Sequence, residues 1–203
     1  MSTRLIPVAP ALALLLAAGL ARAEAPQTLL LRDPTVSASR IVFVYAGDLW
    51  SVDRDGGDPL RLTSDPAADL APAFSPDGST IAFNRQHGDN LEVYVLPVGG
   101  GTPRRLTWHP GPDRVAGWSA DGARVLFASR RETAPTGELQ AWEVSPAGGA
   151  PRKVMDADFF QGRWNGARLA YIPFAPGYSA LVGGAAGWKG YRGGLAPAVH
   201  VID

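Results

Sequence analysis

FSPDGSTIAF, at residues 74–83, returns 44 positions later as WSADGARVLF, at residues 118–127. A shorter copy, NGARLAY at residues 165–171, follows after another 44 positions. Each copy contains Asp-Gly or Asn-Gly, a pair that tolerates the positive φ of a tight hairpin turn, and an apolar run follows the pair at once. The pattern therefore predicts a strand, a tight turn and a second strand, repeated along the chain.

Three further features recur at a fixed distance from the end of each repeat. A repeat closes on an aliphatic residue, with an aromatic residue twelve positions earlier and a glycine pair between the two. The closing residues are Leu62, Leu106 and Val154, the aromatic residues are Trp50, Tyr94 and Trp142, and the glycine pairs are Gly56-Gly57, Gly100-Gly101 and Gly148-Gly149. A period in the mid-forties made of short strands is typical of a β-propeller with one four-stranded blade per repeat.

We therefore expect an all-β fold with four repeats, at about residues 29–65, 66–110, 111–156 and 157–203. The large recurring aromatic residue is expected to pack between blades. The fourth repeat is interrupted by glycine and proline after Tyr171, and a last apolar run at residues 198–202 falls where a third strand is expected. Because the sheets of a propeller must surround a central channel, we expect an incomplete, truncated propeller that belongs to a longer protein.

The amino terminus has the three parts of a secretory signal peptide. Arg4 supplies a positive charge, residues 11–20 form an apolar segment, and Ala21-Arg22-Ala23 matches the A-x-A cleavage pattern. The apolar segment is too short to span a bilayer, and the alternative reading is a buried amino-terminal helix. We expect residues 1–23 to be removed and residues 24–203 to be soluble, in the periplasm or otherwise exported.

Composition excludes several kinds of function. Lys and Arg number 19 and Asp and Glu number 19, which gives no support for a nucleic-acid or anionic-membrane partner. Cysteine is absent, so the chain has no disulfide, no thiolate metal site and no cysteine nucleophile. We expect no cofactor.

Candidate catalytic and metal-binding residues all have a simpler interpretation. Ser75 and Ser119 lack the G-x-S-x-G pattern of a nucleophile elbow, and a hydroxyl that caps the repeated turn explains both. Residues 53–58, DRDGGD, place glycine at the fifth position of a calcium loop and serine at the twelfth, so a hairpin turn is favoured. The histidines, His87, His109 and His200, are scattered without metal-ligand spacing. We assign no catalytic, cofactor-binding or metal-binding residue.

One loop is more specific than its repeat, the segment WKGYRGG at residues 188–194. Trp188, Lys189, Tyr191 and Arg192 are predicted to contact a partner or face the channel, where the two cations would meet peptide carboxylates or another subunit. The alternative interpretation is a glycine-rich loop whose aromatic and arginine side chains stack on one another.

The A-F-S-P-D-G-x-x-I-A-F pattern, with G-G-x-x-x-x-L-T, resembles the propeller repeat of TolB translocation proteins and of many periplasmic peptidases. Gly47-Asp48-Leu49-Trp50, combined with the loop at residues 188–194, is similar to the amino-terminal propeller of the tricorn protease family, including its exported bacterial members. The resemblance covers residues 27–203 and implies a six-bladed propeller without catalytic groups, followed by a second propeller, a PDZ-like domain and a serine-peptidase core. It also implies that the propeller helps to build an assembly and forms a passage beside the proteolytic chamber.

Three hypotheses follow. The first is a non-catalytic propeller segment of an exported tricorn-like serine peptidase, which lines a passage for peptides or an interface between its own subunits. The second is a TolB-like periplasmic module that binds a protein partner. The third, an independent enzyme with its site in the channel, requires convergent ionisable groups that the sequence does not display.

Overall fold

The computed structural model describes residues 30–133, 137–173 and 198–203, and the described residues form fifteen strands without a helix. Blade one contains β1 (Arg32–Val36), β2 (Arg40–Tyr45), β3 (Asp48–Asp53) and β4 (Leu60–Arg61). Blade two contains β5 (Asp69–Phe74), β6 (Thr80–His87), β7 (Asn90–Pro97) and β8 (Arg104–Arg105). Blade three contains β9 (Arg114–Trp118), β10 (Val125–Ser129), β11 (Gln140–Val144) and β12 (Arg152–Lys153). Blade four contains β13 (Gln161–Asn165), β14 (Arg168–Ile172) and β15 (His200–Ile202).

Every blade is an antiparallel sheet whose strands pair in the order of the chain. Contacts between blades run through the first strands, from β1 to β5, from β5 to β9 and from β9 to β13. The first strands are therefore innermost, and they are arranged around a common axis as in a propeller. This confirms the predicted fold class, and the described part of the chain contains no helix that could cross a membrane.

Side-chain alternation along β7 explains how one blade packs on two neighbours. Tyr94 and Leu96 are buried in the cluster shared with blade one, which includes Val42. Val93 and Val95, on the opposite side of the strand, are buried in the cluster shared with blade three. A strand covered on both faces is apolar at nearly every position, which accounts for the continuous apolar run at this point in the sequence.

The recurring aromatic residues lie between blades, as expected, in two of the three repeats. Tyr94 packs against blade one, and Trp142 packs in the cluster that joins blades two and three. Trp50 is half-buried on the other face of blade one and meets Tyr45 edge-on, with ring centroids 6.1 Å apart. Full burial of such a side chain contributes roughly 1.5–3 kcal/mol, so these contacts are a main source of cohesion between blades.

The closing Leu-Thr pair continues the sheets of blades one and two past their fourth strands, whereas blade three closes on Val154-Met155 and keeps only the bond from the Val154 amide to the Ala141 carbonyl, at 2.8 Å. In blade two the Leu106 amide donates to the Val93 carbonyl at 2.8 Å, and the Val93 amide donates to the Thr107 hydroxyl at 3.0 Å. Blade one repeats the second contact, from the Leu49 amide to the Thr63 hydroxyl at 2.9 Å. The threonine side chain thus supplies the acceptor that another strand residue would otherwise provide.

Asn84 joins blades two and three through buried hydrogen bonds. Its side-chain amide donates to the Asp113 carbonyl at 2.7 Å and to the Glu92 carbonyl at 3.2 Å. Its side-chain oxygen accepts from the Val115 amide at 2.9 Å. One side chain therefore satisfies backbone groups on both blades, which fixes the position of β9 beside β6.

Candidate functional site at the channel mouth

A cleft of about 500 Å³ opens on the side of the Asp-Gly turns. It is lined by residues 35–39 of blade one, residues 74–78 of blade two and Arg163 of blade four. Around the axis, blades two and three lie between blade one and blade four. Because residues of blades one, two and four all line the cleft, the cleft extends across the axis. From its lining by blades one, two and four we infer that the cleft is the opening of the central channel on this side of the propeller, and it is named the channel mouth below.

The turns in the channel mouth are rigid because their side chains cap the backbone. Ser75 donates its hydroxyl to the Asp77 carboxylate at 2.5 Å and accepts the Thr80 amide at 3.0 Å. Asp77 also accepts the Ser79 amide at 3.1 Å and the Ser79 hydroxyl at 2.7 Å. These hydrogen bonds, the one from Ser75 first, lower the pKa of Asp77 from 3.8 to about 2.

The predicted role of the two serines is confirmed. Ser119 repeats the contact of Ser75, because its hydroxyl donates to Asp121 at 2.6 Å and accepts the Arg124 amide at 2.9 Å. The Ser119 hydrogen bond is the main cause that lowers the pKa of Asp121. Both serines therefore act as turn caps, and their hydroxyls are engaged locally.

Arg163 projects from β13, the innermost strand of blade four, and its side chain is exposed to solvent. Its guanidinium lies against Gly117 of β9: a Cβ atom added at Gly117 would lie 3.0 Å from Arg163 Nη1 and 3.9 Å from Cδ. The absence of a side chain at Gly117 thus makes room for the arginine. Within the described part of the chain, the side chain of Arg163 makes no ion pair and no hydrogen bond.

Two other innermost strands carry an exposed arginine, Arg32 on β1 and Arg114 on β9. Neither forms an ion pair with a described residue. The pKa of Arg114 is lowered, because neighbouring protein atoms withdraw its guanidinium from water and because Arg130 adds positive charge. The exposed acidic side chain on the four innermost strands is Asp33, which accepts the Ala71 amide at 3.3 Å.

Several arginines outside the innermost strands form ion pairs with carboxylates of their own blade. Arg85 donates from Nε and Nη2 to the fully buried Asp69 at 2.7 and 2.9 Å, and Arg131 pairs with the buried Asp113 at 2.6 Å. Further pairs are Arg40–Asp53, Arg61–Asp48, Arg105–Glu92 and Arg152–Glu143. The exposed arginines of the innermost strands, which form no ion pair with a described residue, therefore differ from these arginines, which join residues within one blade.

The histidines that the sequence analysis considered lie apart from one another. His87 Nε2 is 3.0 Å from the Tyr94 hydroxyl and 3.7 Å from Glu92, whereas His109 Nδ1 contacts the backbone of Gly111. His200 stacks on Tyr171, with ring centroids 5.3 Å apart. Within residues 30–133, 137–173 and 198–203 there is no group of three His, Asp or Glu side chains that could hold a metal ion.

The predicted contact residues Trp188, Lys189, Tyr191 and Arg192 lie outside the described residues, as does the predicted signal peptide at residues 1–23. Neither Arg163 nor Arg114 was predicted from the sequence as a site residue. A signal for Arg163 was present, since the residue before the first-strand aromatic is Ala73 in blade two and Gly117 in blade three but arginine in blade four.

This chain is similar in sequence and in fold to known propeller proteins. A family model described as the tricorn protease N-terminal beta propeller domain matches residues 28–203. A putative tricorn protease homolog 2 of Streptomyces coelicolor is 41% identical over 69 residues, 34% of this chain and 6% of that protein. A TolB homolog of Chlorobium luteolum is 36% identical over 62 residues, 30% of this chain and 14% of that protein.

The fold of the tricorn protease crystal structure is also similar. It superposes with a TM-score of 0.71 at 22% identity, over 85% of this chain and 17% of that chain. At this identity the likeness concerns the fold alone. The matched segments span only a small part of the curated relatives and of that structure.

Proposed function

The chain belongs to the family of tricorn protease N-terminal β-propeller domains, and from that premise we propose that it is a non-catalytic propeller segment of an exported tricorn-like serine peptidase. The family match over residues 28–203 is the observation that carries this proposal. In this role the propeller lines a passage for peptides or an interface between subunits, and hydrolysis is supplied by other domains of the same protein.

The chemistry of the described residues supports a role in shape and binding. The serines of the Asp-Gly turns are hydrogen-bonded as caps, and the buried carboxylates Asp69 and Asp113 are ion-paired with arginines. A nucleophile would need an adjacent general base, and the carboxylates that the two serines contact, Asp77 and Asp121, have lowered pKa values, which makes them weak bases at neutral pH. The channel mouth, by contrast, offers an open cleft with an unpaired cation, which suits the binding of a passing chain.

We further propose that residues 1–23 direct export to the periplasm and that residues 24–203 form blades of an incomplete propeller. The n-region charge, the short apolar segment and the A-x-A pattern support the first part. The second part is supported by the repeat length and by the three complete four-stranded sheets of the described residues.

A TolB-like protein–protein interaction propeller is the second candidate. The 36% identity with a TolB homolog over 62 residues favours it specifically. The two candidates differ in what accompanies the propeller, since a peptidase requires a reactive serine in the same polypeptide, whereas an interaction module requires none.

The distinguishing experiment uses an antibody against residues 24–203 and a fluorophosphonate probe, which labels activated serines covalently. Native protein is labelled in an extract of the source cells and then immunoprecipitated. The first candidate predicts a labelled band that the antibody recognises under denaturing conditions. An unlabelled band that co-precipitates a stable protein partner would favour the TolB-like candidate instead.

A further inference from the structure

This inference rests on the proposed role as a peptide passage and concerns its selectivity. We propose that the channel binds extended peptide segments with acidic side chains, through the guanidinium groups of Arg163 at the channel mouth and Arg114 further along the axis. Each arginine is exposed on an innermost strand and unpaired within the described chain. An arginine in this state is available to a carboxylate of a bound peptide, which it can hold through two parallel hydrogen bonds.

The two cations are spaced along the channel. Arg163 lies against Gly117, three residues beyond Arg114 on the same strand. Three residues of a regular strand extend about 10 Å, and the bulge of β9 between Val115 and Gly117 makes the span here somewhat shorter. Because an extended peptide has a similar rise per residue, two acidic side chains about three positions apart match this spacing.

The remaining charges on the channel wall do not cancel the two arginines. Arg32 adds a third positive charge from β1, and Asp33 contributes one negative charge while bonded to the Ala71 amide. Asp69, at the start of β5, is fully buried and paired with Arg85, so it is not part of the channel surface. The exposed charges of the innermost strands therefore sum to a positive wall.

Asp77 is the acidic residue that lines the channel mouth itself. Its carboxylate accepts three hydrogen bonds from Ser75 and Ser79, and Arg163 does not pair with it. A peptide carboxylate therefore competes with water for Arg163 rather than with Asp77.

The test measures peptide binding to the purified full-length protein by fluorescence anisotropy. The probes are labelled at the amino end and amidated at the carboxyl end, so that side chains supply all the carboxylates. They share one length and differ in composition: one contains glutamates three positions apart, one contains glutamines there, and one contains lysines. The acidic probe is expected to bind more tightly than the neutral probe, and 1 M salt is expected to remove the difference because the screening length falls to about 3 Å.

Variants assign the preference to the two arginines. Arg163→Gln and Arg114→Gln are each expected to weaken the acidic probe by about fivefold without changing the neutral probe. Arg163→Lys keeps the charge but cannot make the two parallel hydrogen bonds, and it is expected to bind the acidic probe with an affinity between those of the wild type and Arg163→Gln. Arg168→Gln, which removes one positive charge from the second strand of blade four, is the matched control and is expected to have no effect.

Equal affinity for the three probes would overturn the proposal. So would an acidic preference that Arg163→Gln and Arg114→Gln leave intact. Either result leaves the proposed function standing if the neutral probe still binds, because passage of peptides does not require charge selectivity. Failure of every probe to bind would contradict both. Unchanged unfolding midpoints of the glutamine variants exclude misfolding as the cause of a loss.

Discussion

Arg85→Met is expected to be one of the most destabilising single substitutions in the described part of the chain. Asp69 is 0% exposed and receives two hydrogen bonds from Arg85, at 2.7 and 2.9 Å. The Asp69 contact is also the main cause that raises the pKa of Arg85. Methionine keeps an unbranched apolar side chain, shorter than that of arginine, and leaves the buried carboxylate without its cation. Breaking such a buried pair costs about 3–5 kcal/mol.

Secondary contacts of Arg85 add less to this figure. Its contact with Asp65, at 3.3 Å, involves a carboxylate that is 43% exposed and contributes roughly 0–1 kcal/mol. The guanidinium also lies 5.1 Å from the centre of the Tyr94 ring, and the methionine side chain retains part of this packing. The loss of the Asp69 partner therefore dominates.

The assay is urea unfolding of the purified chain at neutral pH, followed by tryptophan fluorescence. With a urea dependence of about 2 kcal/mol per molar, the midpoint is expected to fall by about 1.5–2.5 M. Asp69→Leu combined with Arg85→Met removes both charges and is expected to recover much of the loss, since an apolar pair can replace a buried ion pair.

The matched control is Arg168→Gln, which breaks the pair with Asp203 at 2.8 Å, where both side chains are more than two-thirds exposed. Its expected effect is below about 1 kcal/mol. If Arg85→Met shifted the midpoint no more than Arg168→Gln, the buried pair would not have the structural role assigned to it.

Three other predictions concern the junction between blades and the turns. Asn84→Ala removes the side chain that bridges blades two and three and is expected to lower the free energy of unfolding by about 1–3 kcal/mol. Faster hydrogen exchange at the Val115 amide would localise the loss to this junction. Unchanged exchange at that amide would count against the bridge. Asp77 has its pKa lowered from 3.8 to about 2, so its contribution to stability is complete above pH 3.8 and is lost as the pH falls through 2. A carboxyl NMR titration of Asp77 near 3.8 would contradict the hydrogen bonds assigned to it. Gly78→Ala is expected to lower the melting temperature more than Gly88→Ala does. Both glycines have positive φ, but a Cβ at Gly78 would lie 3.2 Å from the Ser37 side chain, whereas a Cβ at Gly88 would meet open space. Equal effects would refute the role of the Ser37 contact.

The repeat architecture was predictable because each blade repeats the same local chemistry. Asp77-Gly78 and Asp121-Gly122 mark tight turns by backbone preference alone, and the alternation of Tyr94 with Val93 and Val95 shows that both faces of the strand are covered. These signals are local in sequence. Each blade packs on the next through the same strand positions, so the repeated local pattern is enough to predict the fold.

The channel mouth could not be predicted in the same way. It is formed by residues 35–39, residues 74–78 and Arg163, which are brought together by the rotation from one blade to the next. An arginine on an innermost strand cannot be distinguished by sequence from one that pairs with a carboxylate, as Arg85 does. The replacement of a small residue by arginine at position 163 is visible in the sequence, but only the structure places this arginine beside Gly117 and in the cleft.

The claim that this chain is the propeller of a larger peptidase is tested most directly by the mass of the native protein in the source cell. An antibody against residues 24–203 would identify the species on a denaturing gel and in a native separation. The account predicts a polypeptide several times heavier than the 21.4 kDa of this chain. A stable exported polypeptide of about 21.4 kDa or slightly less, with nothing heavier, would contradict it.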